Sequence, residues 1–145
     1  MDTGDIGHSG VRGFLSFSAR TADEWRGVGQ TRRYHVDGKF VKEWGTGNKV
    51  SFVLSYNDPL QYYLRAPTKS QWKQYGVNYN YADTYTKGSS NYYMLQENVH
   101  QSLILGAPVN LNLGHGLTFK TTPYFTYASG YDNGGTTLSE DGSYY

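Results

Sequence analysis

The chain of 145 residues contains no cysteine. This absence excludes disulfide bonds, thiol catalysis and cysteine-based metal sites. Long hydrophobic runs are also missing, since the densest one, Leu103-Ile104-Leu105, is interrupted by Gly106 and Pro108. A transmembrane helix needs about 18 or more consecutive apolar residues. We therefore expect no membrane-spanning helix.

A strong charge of one sign is absent as well. The 13 basic and 12 acidic residues give a formal net charge of +1. The basic residues are scattered, with Arg32-Arg33 as the adjacent pair. Proteins that bind nucleic acids carry a clustered basic surface that follows the phosphate backbone. We expect no nucleic-acid partner.

Apolar and polar residues alternate in several segments, which is typical of strands with one apolar and one polar face. A clear example is 48–57, where the apolar face consists of Val50, Phe52, Leu54 and Tyr56. The pattern predicts five strands, at roughly 10–20, 33–44, 48–57, 92–111 and 116–129.

Strands of this kind can cross a membrane in a β-barrel, because only alternate residues need to face lipid. Aromatic residues at the ends of the apolar faces suit the girdles of an outer-membrane barrel. We expect an all-β fold, an antiparallel up-and-down meander that is a partial segment of a transmembrane β-barrel. The residues predicted to face lipid are Tyr34, Val36, Phe40, Trp44, Val50, Phe52, Leu54, Tyr56, Leu117, Phe119, Phe125 and Tyr127.

Short turns alternate with long connections along the chain. The segments 45–48 and 112–116 are predicted tight turns, whereas 21–32 and 58–91 are long loops. Outer-membrane barrels alternate short periplasmic turns with long extracellular loops in this way. Because single-chain bacterial barrels have an even number of at least about eight strands, we expect 1–145 to be one part of a larger barrel.

The predicted extracellular loop, 58–91, is rich in aromatic residues. A loop of this length is usually functional or disordered, and so many aromatic side chains favour an ordered loop. They can pack against one another or present stacking faces to a ligand. The candidate ligand-binding residues are Trp25, Arg26, Tyr62, Tyr63, Arg65, Trp72, Tyr75 and Tyr85, of which the two arginines are available for an anionic ligand.

Three stretches resemble parts of TonB-dependent outer-membrane receptors. They are 25–40 (WRGVGQTRRYHVDGKF), 91–93 (NYY) and 117–127 (LTFKTTPYFTY). The similarity is to the barrel of these receptors and covers about 10–138. The similarity rests on the residue pattern of the strands and on these short stretches, and not on a catalytic signature.

The resemblance implies a barrel of about 22 strands that encloses an N-terminal plug domain. It implies a location in the outer membrane of a Gram-negative bacterium and uptake of a scarce ligand: a ferric siderophore, cobalamin or a carbohydrate. No cofactor is implied. The implied partners are outer-membrane lipid, the remainder of the barrel and the plug domain, TonB through a segment not present here, and the small-molecule ligand.

The chain departs from the receptor pattern at both ends. No plug domain or TonB-binding box is recognisable, and 1–7 has neither the basic start nor the apolar core of a secretory signal. We expect the export signal to lie outside this sequence. The segment 134–143 has the composition of a loop, so we expect the chain to end within an extracellular loop.

No motif supports an enzyme or a metal site. The tripeptide Asp2-Thr3-Gly4 matches the surroundings of an aspartic-protease carboxylate, but that chemistry needs two such carboxylates. The four histidines are widely separated, without the short spacing of metal ligands.

The alternative hypothesis is a soluble, aromatic-rich β-domain that binds glycans by stacking against sugar rings. Such a domain would pack one face of its strands against a second sheet and would fold without detergent.

Overall fold

The structure, a computed structural model, describes residues 3–135. Most of them lie in strands: β1 (Val11–Asp23), β2 (Gln30–Trp44), β3 (Asn48–Tyr62), β4 (Glu97–Gly106), β5 (Val109–Gly114), β6 (Leu117–Thr121) and β7 (Tyr124–Asp132). The helical elements are one short α-helix, α1 (Lys69–Tyr75), and the 3₁₀ turns Ile6–His8 and Tyr93–Gln96. Among the described residues, no helix has both the length and the hydropathy needed to cross a bilayer.

All seven strands belong to one antiparallel sheet. Its order is β1-β2-β3-β4-β7, with β5 beside β3 and β6 beside β5. The end strands of this order, β1 and β7, do not pair with each other, so the sheet of the described residues is not closed into a barrel. A mostly-β fold with an antiparallel sheet of largely up-and-down order is therefore confirmed, whereas the assignment to a transmembrane barrel stays a prediction.

A proline interrupts each of the last two predicted strands. β4 and β5, which both pair with β3, flank Pro108, and β6 and β7 flank Pro123. Proline has no N–H to donate to a neighbouring strand, but its carbonyl can still accept. The carbonyl of Pro108 accepts from the N–H of Ser51 (2.8 Å), and that of Pro123 accepts from the N–H of Ala107 (2.9 Å). Residues 3–135 therefore form seven strands where the alternation predicts five.

Both predicted tight turns are present. The turn between β2 and β3 contains Gly45 (φ 52°) and Gly47 (φ 81°). The turn between β5 and β6 contains His115, which also has a positive φ of 52°. Short connections of this kind fix which residues of the two strands face each other.

The first long connection is shorter than the sequence predicts, 24–29 instead of 21–32, because β1 and β2 extend into it. The second has the predicted length but is displaced, to 63–96 instead of 58–91, and the predicted strand residues before Glu97 belong to it. β1 ends at Asp23 and β2 begins at Gln30, while β3 continues to Tyr62. The second connection contains α1, which begins with a reciprocal cap: the Thr68 side chain accepts from the N–H of Gln71, and the Gln71 side chain accepts from the N–H of Thr68. A capping box satisfies two N–H groups that the first helical turn leaves free.

No hydrophobic core exists within residues 3–135. None of the apolar side chains there is buried, whereas the buried side chains are those of Arg26, Ser51, Gln96 and Asn98. Soluble domains bury their aliphatic and aromatic residues and leave most polar ones outside. Among its described residues, this sheet instead buries two polar side chains, Ser51 and Asn98, and no apolar one.

Apolar side chains of neighbouring strands lie together on one face of the sheet. A Cβ atom on Gly13 would lie 2.6 Å from Cδ1 of Phe40, so the Phe40 ring lies over this glycine. Phe52, Leu105 and Phe125 line one groove of about 270 Å³. Because alternate side chains of a strand share a face, these contacts define a continuous apolar face.

The opposite face is connected by polar contacts. Arg33 Nε donates to Asn57 Oδ1 (2.6 Å), and Ser55 Oγ donates to Asp37 Oδ1 (2.8 Å). His35 Nε2 lies 2.6 Å from the other oxygen of Asp37. Cross-strand pairs of this kind contribute about 0.2–1 kcal/mol each. The polar face predicted for β2 and β3 is confirmed.

The described residues form two compact units. One, which we call the strand unit, comprises 3–19, 33–58 and 101–129. The other, which we call the loop unit, comprises 20–32, 59–100 and 130–135 and includes α1.

Candidate ligand-binding site in the loop unit

Arg26 contacts the faces of two tryptophan rings. Its guanidinium carbon is 4.9 Å from the ring centroid of Trp25 and 5.6 Å from that of Trp72, which α1 presents. The arginine is only 7% exposed. Cation–π contacts contribute about 0.5–2 kcal/mol, depending on desolvation. Ring faces therefore provide much of the environment of this charge.

Arg65 has a similar environment made of tyrosines. Its guanidinium carbon lies 5.4 Å from the ring centroid of Tyr79 and 4.9 Å from that of Tyr81. Nη1 donates to the Tyr79 hydroxyl (3.0 Å), and Nη2 donates to Asn91 Oδ1 (2.5 Å). Arg65 is partly exposed, and these partners are uncharged.

Asn80 joins the backbones of the two arginines. Its Oδ1 accepts from the N–H of Arg65 (2.8 Å), and its Nδ2 donates to the carbonyl of Arg26 (3.1 Å). Arg26 Nη2 also donates to the carbonyl of Arg65. These contacts define one arginine cluster, which consists of Trp25, Arg26, Arg65, Trp72, Tyr79, Asn80, Tyr81 and Asn91.

Neither arginine pairs with a carboxylate among the described residues. The ion pairs found there join Arg12 and Lys49 to Glu43, and two histidines to aspartates. The Nε atoms of Arg26 and Arg65 are buried without a hydrogen-bond partner. A buried charge without a counter-ion is costly in free energy, and Arg26 is such a charge, whereas Arg65 is partly exposed to water.

A row of four tyrosines forms the second aromatic group of the loop unit. Tyr62 meets Tyr93 edge-to-face at 5.0 Å between centroids, Tyr93 meets Tyr92 at 5.3 Å, and Tyr92 meets Tyr85 at 5.9 Å. Such pairs contribute about 0.5–1.5 kcal/mol beyond the area they bury. Tyr62 and Tyr93 also line a cavity of about 610 Å³ beside the backbone of 27–29.

The remaining two candidates have different surroundings. Tyr75 stacks on Tyr79, with centroids 4.6 Å apart and an interplanar angle of 21°, and so extends the arginine cluster. The Tyr63 hydroxyl instead accepts from Asn98 Nδ2 (2.7 Å), which also donates to Asp132 (2.6 Å). Tyr63 therefore belongs to a polar group that ties β4 to β7.

The structure brings most of the predicted ligand-binding residues into two groups. Trp25, Arg26, Arg65, Trp72 and Tyr75 belong to the arginine cluster or extend it, and Tyr62 and Tyr85 belong to the tyrosine row. Many of these side chains pack against one another. Trp25 nevertheless remains 70% exposed and Tyr85 57% exposed, so both retain free ring surface. Ligand binding by these residues stays a prediction.

Four members of the arginine cluster are missing from the sequence-based candidates: Tyr79, Tyr81, Asn80 and Asn91. The two tyrosines belong to the aromatic set of the predicted loop, so composition signals them. Asn80 gives no such signal, because its role depends on Arg26 and Arg65, which are distant in sequence.

The residues predicted to face lipid are all at least partly exposed. Val36, Phe40, Val50, Leu54 and Tyr56 are of intermediate exposure. The others are more exposed: Tyr34, Trp44, Phe52, Leu117, Phe119, Phe125 and Tyr127. Contact with lipid stays a prediction for all of them.

Two sequence expectations fall partly outside the described residues. Asp2 of the protease-like tripeptide is one, and the end of the chain after residue 135 is the other. Within 3–135, no three His, Cys, Asp or Glu side chains are placed to hold a metal ion.

Comparisons with protein-family models, with curated proteins and with solved structures found no match for this chain. Its function therefore has to be inferred from its own residues and their geometry.

Proposed function

We propose that this protein is part of the β-barrel of an outer-membrane TonB-dependent receptor, and that its loop unit binds the imported ligand outside the membrane. The main support is the absence of a buried apolar core in the sheet of the described residues. Within 3–135 no apolar side chain is buried, while Ser51 and Asn98 are buried in the strands. A sheet of this kind needs an apolar environment on its outer face.

Lipid supplies that environment. Each Å² of apolar surface kept from water stabilises a protein by about 25 cal/mol, and hydrocarbon chains would cover the face that contains Phe52, Leu105 and Phe125. A strand needs about 9–11 residues to cross the bilayer. β2 and β3 have 15 residues each, which is enough to cross and to continue beyond it.

The edges of the sheet support a larger assembly. β1 and β7 are the end strands of the sheet order. In hydrocarbon, unpaired N–H and C=O groups are too costly, and only closed barrels avoid them. The remaining strands of the receptor would pair with these edges, and its plug would lie against the polar face.

The loop unit provides surfaces for a ligand of the siderophore, cobalamin or carbohydrate class. Trp25, Tyr75 and Tyr85 are more than half exposed, and planar or ring-shaped ligands stack on such side chains. We assign the protein a role in uptake and no catalytic activity.

The alternative, a soluble glycan-binding domain, is supported by the same exposed rings. It requires a second sheet packed on the apolar face, and the described residues form a single sheet without buried apolar residues. We therefore favour the membrane protein.

The test is a lysine substitution on each face of β3 in the source cells. Phe52 lies on the apolar face, whereas Val53, the next residue of β3, lies on the other face because successive side chains of a strand alternate. Lysine facing the bilayer midplane costs roughly 2–4 kcal/mol. We expect Phe52→Lys to abolish recovery in the outer-membrane fraction and Val53→Lys to retain it. Equal recovery of the two variants would contradict the lipid-facing assignment.

A further inference from the structure

We infer that the ligand of the loop unit is an anion, recognised through its carboxylate or phosphate oxygens by Arg65, with Arg26 as the positioning residue behind it. This inference rests on the proposed function in so far as it takes the loop unit as the ligand-binding part. It adds the chemical class of the ligand and names the group that recognises it.

The two arginines of the cluster have no carboxylate partner within 3–135. A guanidinium is charged at every physiological pH. Ring faces and neutral oxygens surround both. Such contacts compensate only part of the desolvation of a guanidinium. This cost falls mainly on the buried Arg26, because Arg65 is partly exposed to water. An anion bound at Arg65 would bring a negative charge into the same cluster.

The connection between β3 and β4 contains more basic than acidic residues. Between β3 and β4 the chain has one acidic residue, Asp83, and four basic ones, Arg65, Lys69, Lys73 and Lys87. Clustered charge of one sign raises the local concentration of ligands of the other sign. The 24–29 connection, which contains Arg26, also contains the acidic Glu24, so the two connections together have a net charge of +3. This net charge attracts anions toward the arginine cluster.

Of the two arginines, Arg65 is the one that a ligand can reach. Arg26 is 7% exposed, whereas Arg65 is partly exposed and its Nη2 reaches the exposed Asn91. Because both Nε atoms are buried, an anion approaches Arg65 at its Nη atoms. The planar fork of arginine matches the paired oxygens of carboxylate and phosphate groups.

Arg65 is held in place by neighbouring residues. The backbone of Arg65 is held on both sides, by Asn80 at its N–H and by Arg26 at its carbonyl. Tyr79 and Tyr81 contact its guanidinium. A site held in this way loses little conformational entropy when a ligand binds. A neutral sugar could stack on the rings but would leave the charges uncompensated.

The experiment is a fluorescence titration of the full chain in its native membrane, with sodium citrate, sodium pyrophosphate and neutral maltose as probes. Trp25 and Trp72 contact Arg26, so their emission reports changes in the cluster. The test variant is Arg65→Gln, and its matched control is Lys87→Gln, which removes the same charge from the same segment. Arg65→Gln keeps the backbone contacts of Arg65 but loses the guanidinium contacts with Tyr79, Tyr81 and Asn91. The tryptic cleavage rate of the variant therefore has to match that of Lys87→Gln before their affinities are compared.

We expect saturable binding of citrate or pyrophosphate and none of maltose. Arg65→Gln should weaken binding of the anion by about 10- to 100-fold, which is the loss expected for charge-assisted hydrogen bonds. Lys87→Gln should weaken it by less than about twofold. Arg65→Lys, which keeps the charge without the fork, should fall between them. Citrate binding alone would assign a carboxylate ligand, and pyrophosphate binding alone a phosphate ligand.

Absence of saturable binding of both anions, or equal loss in Arg65→Gln and Lys87→Gln, would overturn the inference. The Phe52→Lys and Val53→Lys pair tests the proposed function by location alone. A protein located in the outer membrane that binds neither anion would refute the anion site and leave the receptor assignment intact. A soluble protein that binds citrate would do the opposite.

Discussion

Gly27 and Asn80 are in such close contact that only a glycine fits at position 27. A Cβ on Gly27 would lie 2.5 Å from the Cβ of Asn80, and Gly27 has a φ of 76°. The absence of a side chain allows Asn80 to donate to the carbonyl of Arg26. The arginine cluster therefore depends on the glycine at position 27.

The first prediction concerns this contact. Gly27→Ala should loosen the 63–96 segment, because overpacking typically costs about 1–3 kcal/mol and a positive φ adds a cost of similar size. The measurement is the rate of tryptic cleavage at Lys69, Lys73 and Lys87. Gly88→Ala is the control, since Gly88 has a similar φ of 78° but no atom within 4 Å of its Cβ position. Equal cleavage rates of the two variants would show that the contact with Asn80 is unimportant.

The second prediction concerns the amide of Asn80 itself. Asn80→Ala removes two hydrogen bonds to the backbone, and each typically contributes about 0.5–1.5 kcal/mol. We expect faster hydrogen exchange at the N–H of Arg65, measured by mass spectrometry of the peptide that contains it. The neighbouring Asn78 is exposed, so Asn78→Ala should leave that exchange unchanged. Unaltered exchange in Asn80→Ala would contradict the bridging role.

Much of the sheet is predictable from the sequence, because strands with one polar and one apolar face impose a period of two residues. Phe52 and Leu54 show this period clearly, and the glycine-rich turn between β2 and β3 fixes where the strands reverse. The breaks at Pro108 and Pro123 are not predictable in the same way. The carbonyls of both prolines still accept hydrogen bonds, so the alternation continues across them.

The candidate site is predictable only in part. Aromatic residues and arginines in a long connection, such as Trp72 and Arg65, stand out by composition. The contacts of Asn80 and Gly27 depend on the approach of two segments that are far apart in the chain. Local periodicity contains no information about such an approach, so these two residues become visible only in the folded structure.

The third prediction concerns the position of Trp44 at the end of β2. The chain has 3 tryptophans, of which Trp25 and Trp72 belong to the loop unit and Trp44 to the strand unit. Trp44 is 42% exposed, and tryptophan favours the membrane interface. Brominated phosphatidylcholine in the bilayer should therefore quench the emission of Trp44. The Trp44→Phe variant should lose most of this quenching, and a variant quenched as strongly as the native protein would place Trp44 away from lipid.

The fourth prediction concerns a second position on the apolar face. Phe125 lies in β7 and lines the same groove as Phe52, so Phe125→Lys should reduce recovery in the outer membrane as Phe52→Lys does. The expected cost is again about 2–4 kcal/mol at the midplane and less near the interface. Immunoblots of separated membrane fractions provide the measurement. Normal recovery of Phe125→Lys beside loss of Phe52→Lys would remove β7 from the lipid-facing surface.

The central claim is that lipid covers the apolar face of this sheet. It is tested most directly by fractionation of the source cells with an antibody against the 63–96 segment. We predict that the protein is found in the outer-membrane fraction, resists extraction with alkaline carbonate and changes its electrophoretic mobility on heating. Recovery as a soluble species from cells that were never treated with detergent would contradict the account.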